Sequence, residues 1–118
     1  MADTRKSFLP LAVLLIVALA MHPASTWAGL NGRTLLDQCL SSLTLAQVTC
    51  QTYIEGLMDG HFLSTAGGKG ALYCVPSGHD AARAKKIIVK YLKKNAAELE
   101  RPAGELAFEA LASAWPCH

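Results

Sequence analysis

The chain is poor in most of the features that announce a chemistry. Its charge is almost balanced, with 11 Lys and Arg against 9 Asp and Glu for a formal +2 over 118 residues. Nothing here approaches the basic excess of a nucleic-acid-binding domain. Its four cysteines include no C-x-x-C pair, and their wide, irregular gaps speak against a zinc site. The longest apolar run, residues 8–21, stops short of the roughly 20 residues that a membrane helix needs. There is no internal repeat, no low-complexity tract and no convincing strand alternation. The glycine-rich "AGGKGA" lacks both the G-x-x-x-x-G-K-[ST] spacing and the preceding strand of a phosphate loop. No serine has a histidine and an acid at hand, and paired cysteines would leave no thiol nucleophile. These absences point away from an enzyme, a cofactor or a metal, and from stable insertion in a membrane.

What is present begins at the N-terminus. Arg5 and Lys6 precede the apolar run, and "PASTWA" follows it with small residues suited to a peptidase. The pattern reads as a secretory signal over residues 1–28, cut after Ala28. No cysteine follows closely enough to suggest a lipid anchor. The remaining 29–118 is one small, nearly neutral domain that holds all four cysteines. An even cysteine count in a short exported chain reads as two disulfides.

Four helices are expected, and the fold class is all-α. The first covers about residues 33–40 with Asn31 as its cap, and "SSLT" separates it from a longer one over 45–66 capped by Thr44. "AGGKGALYCVPSG" is a loop, because clustered glycines and a proline disfavour regular structure. The third helix starts after Asp80 and ends near Asn95; the fourth opens at Pro102 and ends before Trp115 and Pro116. Ala84, Ile87, Ile88, Tyr91 and Leu92 form a core-facing stripe on the third. Ala103, Leu106, Ala107, Ala110, Leu111 and Ala114 do so on the fourth, with Glu105 and Glu109 opposite. A stripe that is mostly alanine buries little area, so covalent staples worth about 2–4 kcal/mol each would matter. Short connections favour antiparallel neighbours. That places Cys39 beside Cys50 and Cys74 beside Cys117, whereas Cys50–Cys74 would send the loop back about 24 Å along the second helix.

The stretch "CQTYIEGLMDGH", residues 50–61, gathers a thiol, two carboxylates and an imidazole. On a helical wheel Cys50, Tyr53, Ile54, Leu57 and Met58 share the buried arc, while Glu55 and Asp59 lie opposite and face water. Exposed carboxylates of this kind lack the burial or partner that acid–base chemistry requires. His61 falls on the apolar arc, where a partly buried, hydrogen-bonded side chain is the ordinary outcome. Gly56 and Gly60 lie beside that arc and would allow a helix, of this chain or of a second subunit, to approach closely.

Two surface features remain. Arg83, Lys86, Lys90, Lys93 and Lys94 project into one arc about 100° wide. This is either a solvated face or an electrostatic patch for an acidic partner protein or an anionic envelope component. The loop "GGKGALY" is either an ordinary connection or a tongue, with Gly68, Lys69 and Tyr73, that enters a partner's cleft.

Taken in order, "LLDQCL", "CQTYIEGLMDG", "CVP", "IIVKYLKKN" and "ALASAWPC" resemble the Rap/Tai family of immunity proteins across essentially the whole mature chain. One departure is visible: the usual proline after the asparagine of the third helix is Ala96 here. The resemblance implies a disulfide-bonded, all-helical periplasmic protein of a Gram-negative bacterium, with an acid-chaperone-like fold and often a homodimer. It further implies neutralisation of a peptidoglycan amidase toxin delivered by type VI secretion, by a protruding element and an adjacent helix that cover the active-site groove. No inhibitory residue of the family maps onto a motif here. A periplasmic acid-stress chaperone of similar helical form is the alternative reading.

Overall fold

Asn31 folds its side chain back onto the chain, its carbonyl oxygen accepting the Thr34 N–H at 2.9 Å, and so opens the first helix, α1, Gly32–Leu40. The computed structural model describes residues 29–66 and 69–118; the expected leader, 1–28, and Gly68 lie outside the described residues. Three more helices follow: α2, Thr44–Ser64; α3, Ala81–Lys94; and α4, Ala103–Ala114. A single 3-10 turn, Ala96–Glu98, joins α3 to α4. Among the described residues there is no strand, only one isolated bridge between Asn31 and Pro102. The protein is a small all-α domain.

That bridge explains how two helix starts are satisfied without solvent. The first N–H groups of a helix have no partner inside it. Gly32 N–H donates to Arg101 O at 3.0 Å and Arg33 N–H to Leu99 O at 2.9 Å, so the α3–α4 turn caps α1. In return Ala103 N–H, at the start of α4, donates to Leu30 O at 2.7 Å. The approach needs a glycine. A Cβ at Gly32 would stand 2.5 Å from Leu106 Cδ1 and 3.1 Å from Leu99 O. Pro102 is the residue before α4 and not its first member, because its extended ψ of 132° lets it join the bridge.

Helix α2 departs from expectation at both ends. Thr44 is its first helical residue and the preceding Leu43 makes no side-chain cap. Instead Ser41 Oγ accepts the Leu43 N–H at 3.1 Å, and Gln47 Nε2 turns back to donate to the carbonyls of Cys39 and Ser41. Gln47 thus satisfies the end of α1 from the first turns of α2. At the far end α2 stops at Ser64, because the Ser64 and Thr65 hydroxyls and the Thr65 N–H all converge on His61 O. Asp80 caps α3 by accepting the Arg83 N–H at 3.0 Å, as its type and position require.

The core collects Leu35, Ile54, Ile88, Leu92, Leu106 and Leu111 from all four helices. On α3 only Ala84, Ile88 and Leu92 are fully buried, while Ile87 and Tyr91 lie at its edge. On α4 the buried stripe runs from Ala103 to Leu111 but not to Ala114, which is exposed on a groove shared with Ile87 and Tyr91 of α3. Each buried leucine or isoleucine contributes about 1.5–3 kcal/mol, whereas the alanines of α4 contribute close packing and little area. Two disulfides, Cys39–Cys50 and Cys74–Cys117, staple this core, and no described cysteine is free.

Candidate functional site

The acids of the molecule concentrate at the α3–α4 turn, and arginine neutralises them there. Arg101 pairs with Glu98 at 3.1 Å, with Glu105 at 3.4 Å and with Glu109, while Arg33 pairs with Glu100 at 2.7 Å. The Tyr91 hydroxyl donates to Glu109 at 2.8 Å. The Arg101 guanidinium, helped by Tyr91, holds the Glu109 carboxyl below the usual carboxylate range, and Glu109 in turn raises Arg101. This is a structural network on an exposed surface. Among the described residues no cluster of three or more His, Cys, Asp or Glu is placed to hold a metal.

The carboxylates of α2 are likewise not paired for chemistry. Glu55 and Asp59 are exposed, and Glu55 accepts only the Gln51 amide at 3.0 Å. Their helix neighbour His61 has the opposite fate. It is 9% exposed and stacks on Tyr73 with centroids 4.0 Å apart and planes 14° from parallel. Its Nε2 accepts the Leu72 N–H at 3.1 Å, which places the ring proton on Nδ1. Phe108 of α4 closes the cluster at 5.9 Å from both rings. His61 therefore fastens the loop between α2 and α3 onto the end of α2.

Tyr73 corrects an expectation. Placed in the sequence on a partner-seeking tongue, it is 1% exposed and belongs to the core. Stacking on His61 and tilted contact with Trp115, at 6.4 Å, bury an aromatic ring that water would otherwise face. Burial pushes its phenol pKa up, and its hydroxyl has no hydrogen-bond partner among the described residues. The loop does present Lys69, Leu72 and Val75, among other exposed residues. They continue a surface begun by Phe62 and Leu63, which are 71% and 72% exposed at the end of α2. This apolar end of the molecule was missed by sequence reasoning. Leu63 carried the signal, since on the wheel it falls on the solvent arc beside Asp59.

Gly56 and Gly60 also differ from the close-packing role expected within the chain. A Cβ at either would meet nothing within 4 Å. Tyr53 of α2 and Phe108 of α4 flank the two glycines instead. The result is an open, mostly apolar groove of about 530 Å³ along α2, lined by Tyr53, Gly56, Leu57, Gly60, His61 and Phe108 among others.

On α3, Arg83, Lys86, Lys90, Lys93 and Lys94 are all exposed, and none forms an ion pair among the described residues. Lys85 is the exception to this outward face, since it reaches across to Gln47 of α2. Among the described residues no helix is long and apolar enough to cross a membrane.

The structure thus offers a rigid, stapled helical body with an apolar end, an open groove and a cationic face, and no assembled catalytic constellation among the described residues. None of the curated proteins compared with the chain matches it. The model of one family, described as Rap1a immunity proteins, matches residues 31–117, which is every helix and both disulfides. The chain belongs to the Rap1a immunity protein family.

Proposed function

We propose that this immunity protein is exported, loses residues 1–28, and binds and occludes a peptidoglycan amidase toxin delivered by type VI secretion. The family match over the whole folded part carries this reading. Two disulfides in so small a domain support an oxidising compartment such as the periplasm. The toxin-facing surface is the apolar end of α2 with its adjoining loop, where Phe62 and Leu63 of the helix and Leu72 and Val75 of the loop are each exposed and Phe62 and Val75 line one groove. A soluble domain exposes such a cluster where a partner covers it. His61 holds the loop at Leu72, and Cys74 anchors it to Cys117, so its apolar residues are presented from two fixed points.

Co-expression with the cognate toxin in the periplasm is the test. The protein is expected to restore growth, and Phe62→Asp with Leu72→Asp is expected to weaken toxin binding about tenfold by placing charges in the covered patch. Toxicity that persists against every periplasmic amidase tried would end this reading.

The open groove beside Gly56 and Gly60 is the proposed seat of a second copy, which makes the working form a homodimer. Sedimentation equilibrium is expected to return twice the chain mass, and Gly60→Leu to return the monomer without altering helix content. A monomer at every concentration up to about the micromolar range of many protein associations would refute the dimer.

A further inference from the structure

The α1–α2 corner exposes a second apolar group, unrelated to the toxin-facing end. Leu43 and Leu45 are 70% and 79% exposed at its tip, with Leu40 and Val48 more than half exposed behind them. The cationic face of α3 lies alongside. Lys85 of α3 bonds Gln47, which itself closes the corner through the carbonyls of Cys39 and Ser41. A shallow groove runs from Cys39 and Gln51 to Lys86 and Val89, linking corner to helix. Beyond it Lys86, Val89, Lys90, Lys93 and Lys94 line a second groove of about 570 Å³. The acids nearest these lysines, just beyond the C-terminal end of α3, are taken up by Arg33 and Arg101.

We propose that the α1–α2 corner and the cationic face of α3 together form a peripheral docking surface for an anionic lipid bilayer. Charge complementarity is the first argument: five cations along about 17 Å of helix meet a plane of negative headgroups, and between Ala81 and Lys94 the helix carries no acid. Composition is the second. Protein interfaces are depleted in lysine, and their charged anchors are arginines. The residues here are four lysines and one arginine beside three leucines and a valine. Lysine is a hydrated point charge that suits a diffuse anionic plane better than a bidentate carboxylate. A few aliphatic side chains entering the acyl boundary, together with a polybasic patch, supply the two signals that reversible membrane binding requires. Neither signal is enough alone. The surface would hold the immunity protein near the bilayer while leaving its toxin-facing end free.

The test is co-sedimentation of the exported protein, its N-terminus verified as Gly29 by mass spectrometry, with vesicles of pure phosphatidylcholine or of phosphatidylcholine containing about one-third phosphatidylglycerol. Binding to the anionic vesicles is expected to be at least about tenfold tighter and to fall steeply as salt rises. Lys86→Glu with Lys90→Glu is expected to reduce it by more than about 30-fold, since each cation lost near an anionic surface is worth roughly fivefold and the added carboxylates are repelled. Leu43→Ser with Leu45→Ser, tested separately, is expected to lose about tenfold and to leave the salt dependence intact. All four side chains are exposed, so unchanged helical circular dichroism and unfolding midpoints are required of both variants. Equal binding to the two kinds of vesicle, or indifference to the charge reversal, overturns the proposal. Binding to polyglutamate with the same sensitivity to charge reversal, and none to anionic vesicles, also overturns it and makes the face a site for an acidic protein. Toxin protection reads none of these residues, so the two proposals fail separately.

Discussion

Replacing Cys74 and Cys117 together by serine is expected to remove about 4 kcal/mol from the free energy of unfolding, and replacing Cys39 and Cys50 by alanine about 3 kcal/mol. The order follows from loop length. The first pair closes a separation of 43 residues and the second one of 11, and the longer loop removes more entropy from the unfolded chain. Native contacts reinforce the difference. Cys74 N–H donates to Trp115 O at 2.8 Å, and the neighbouring Tyr73 packs on the Trp115 ring, so the long staple holds the loop and the C-terminus to one another. A small domain has about 5–15 kcal/mol in all, so either loss is a large share of its stability. Urea titrations of the oxidised protein and the two double variants measure both. A loss below about 1 kcal/mol for the 43-residue loop would mean that the unfolded chain is already compact there.

His61→Ala is expected to cost about 2–3 kcal/mol, a large effect for one side chain. Three contributions combine: the stacked Tyr73 loses its neighbour, the Leu72 N–H loses its acceptor, and a void opens beside Phe108. Two further variants separate them. His61→Phe keeps an aromatic ring against Tyr73 but accepts no hydrogen bond, and is expected to lose about 1 kcal/mol. His61→Gln keeps an acceptor and forfeits the stack, and should lose more, because Leu72 is exposed enough for water to replace part of its bond. Amide exchange at Leu72 reports the bond directly. It is expected to speed up in the phenylalanine variant and to change least in the glutamine one. Equal stability of all three variants with the parent would show that the loop is held by the disulfide alone.

The helices and most of their boundaries were legible because they are set by neighbours in the chain. Asn31 and Asp80 cap α1 and α3 through residues three positions away, an interaction that a sequence displays in full. Where the cap is replaced by a long-range device the boundary moved, as at Thr44, where Ser41 and Gln47 make the corner instead. Pro102 moved for the same reason, since it is held by a bridge to Asn31.

Surface character divides in the same way. The cationic arc of α3 was readable because helical periodicity alone points five side chains outward. Tyr73 was not, because a loop has no period, and only the placement of α2 and α4 decides whether its ring meets His61 and Phe108 or water. The groove at Gly56 and Gly60 depends on how far α4 stands from α2, and two glycines specify permission to approach without specifying an approach. By itself the sequence determined the fold class and the family fingerprint, and it indicated which cysteines the helices bring together, since these rest on pattern and spacing. Only the tertiary structure decided which apolar residues stay exposed at the two ends of α2 and what His61 does, because both depend on long-range packing.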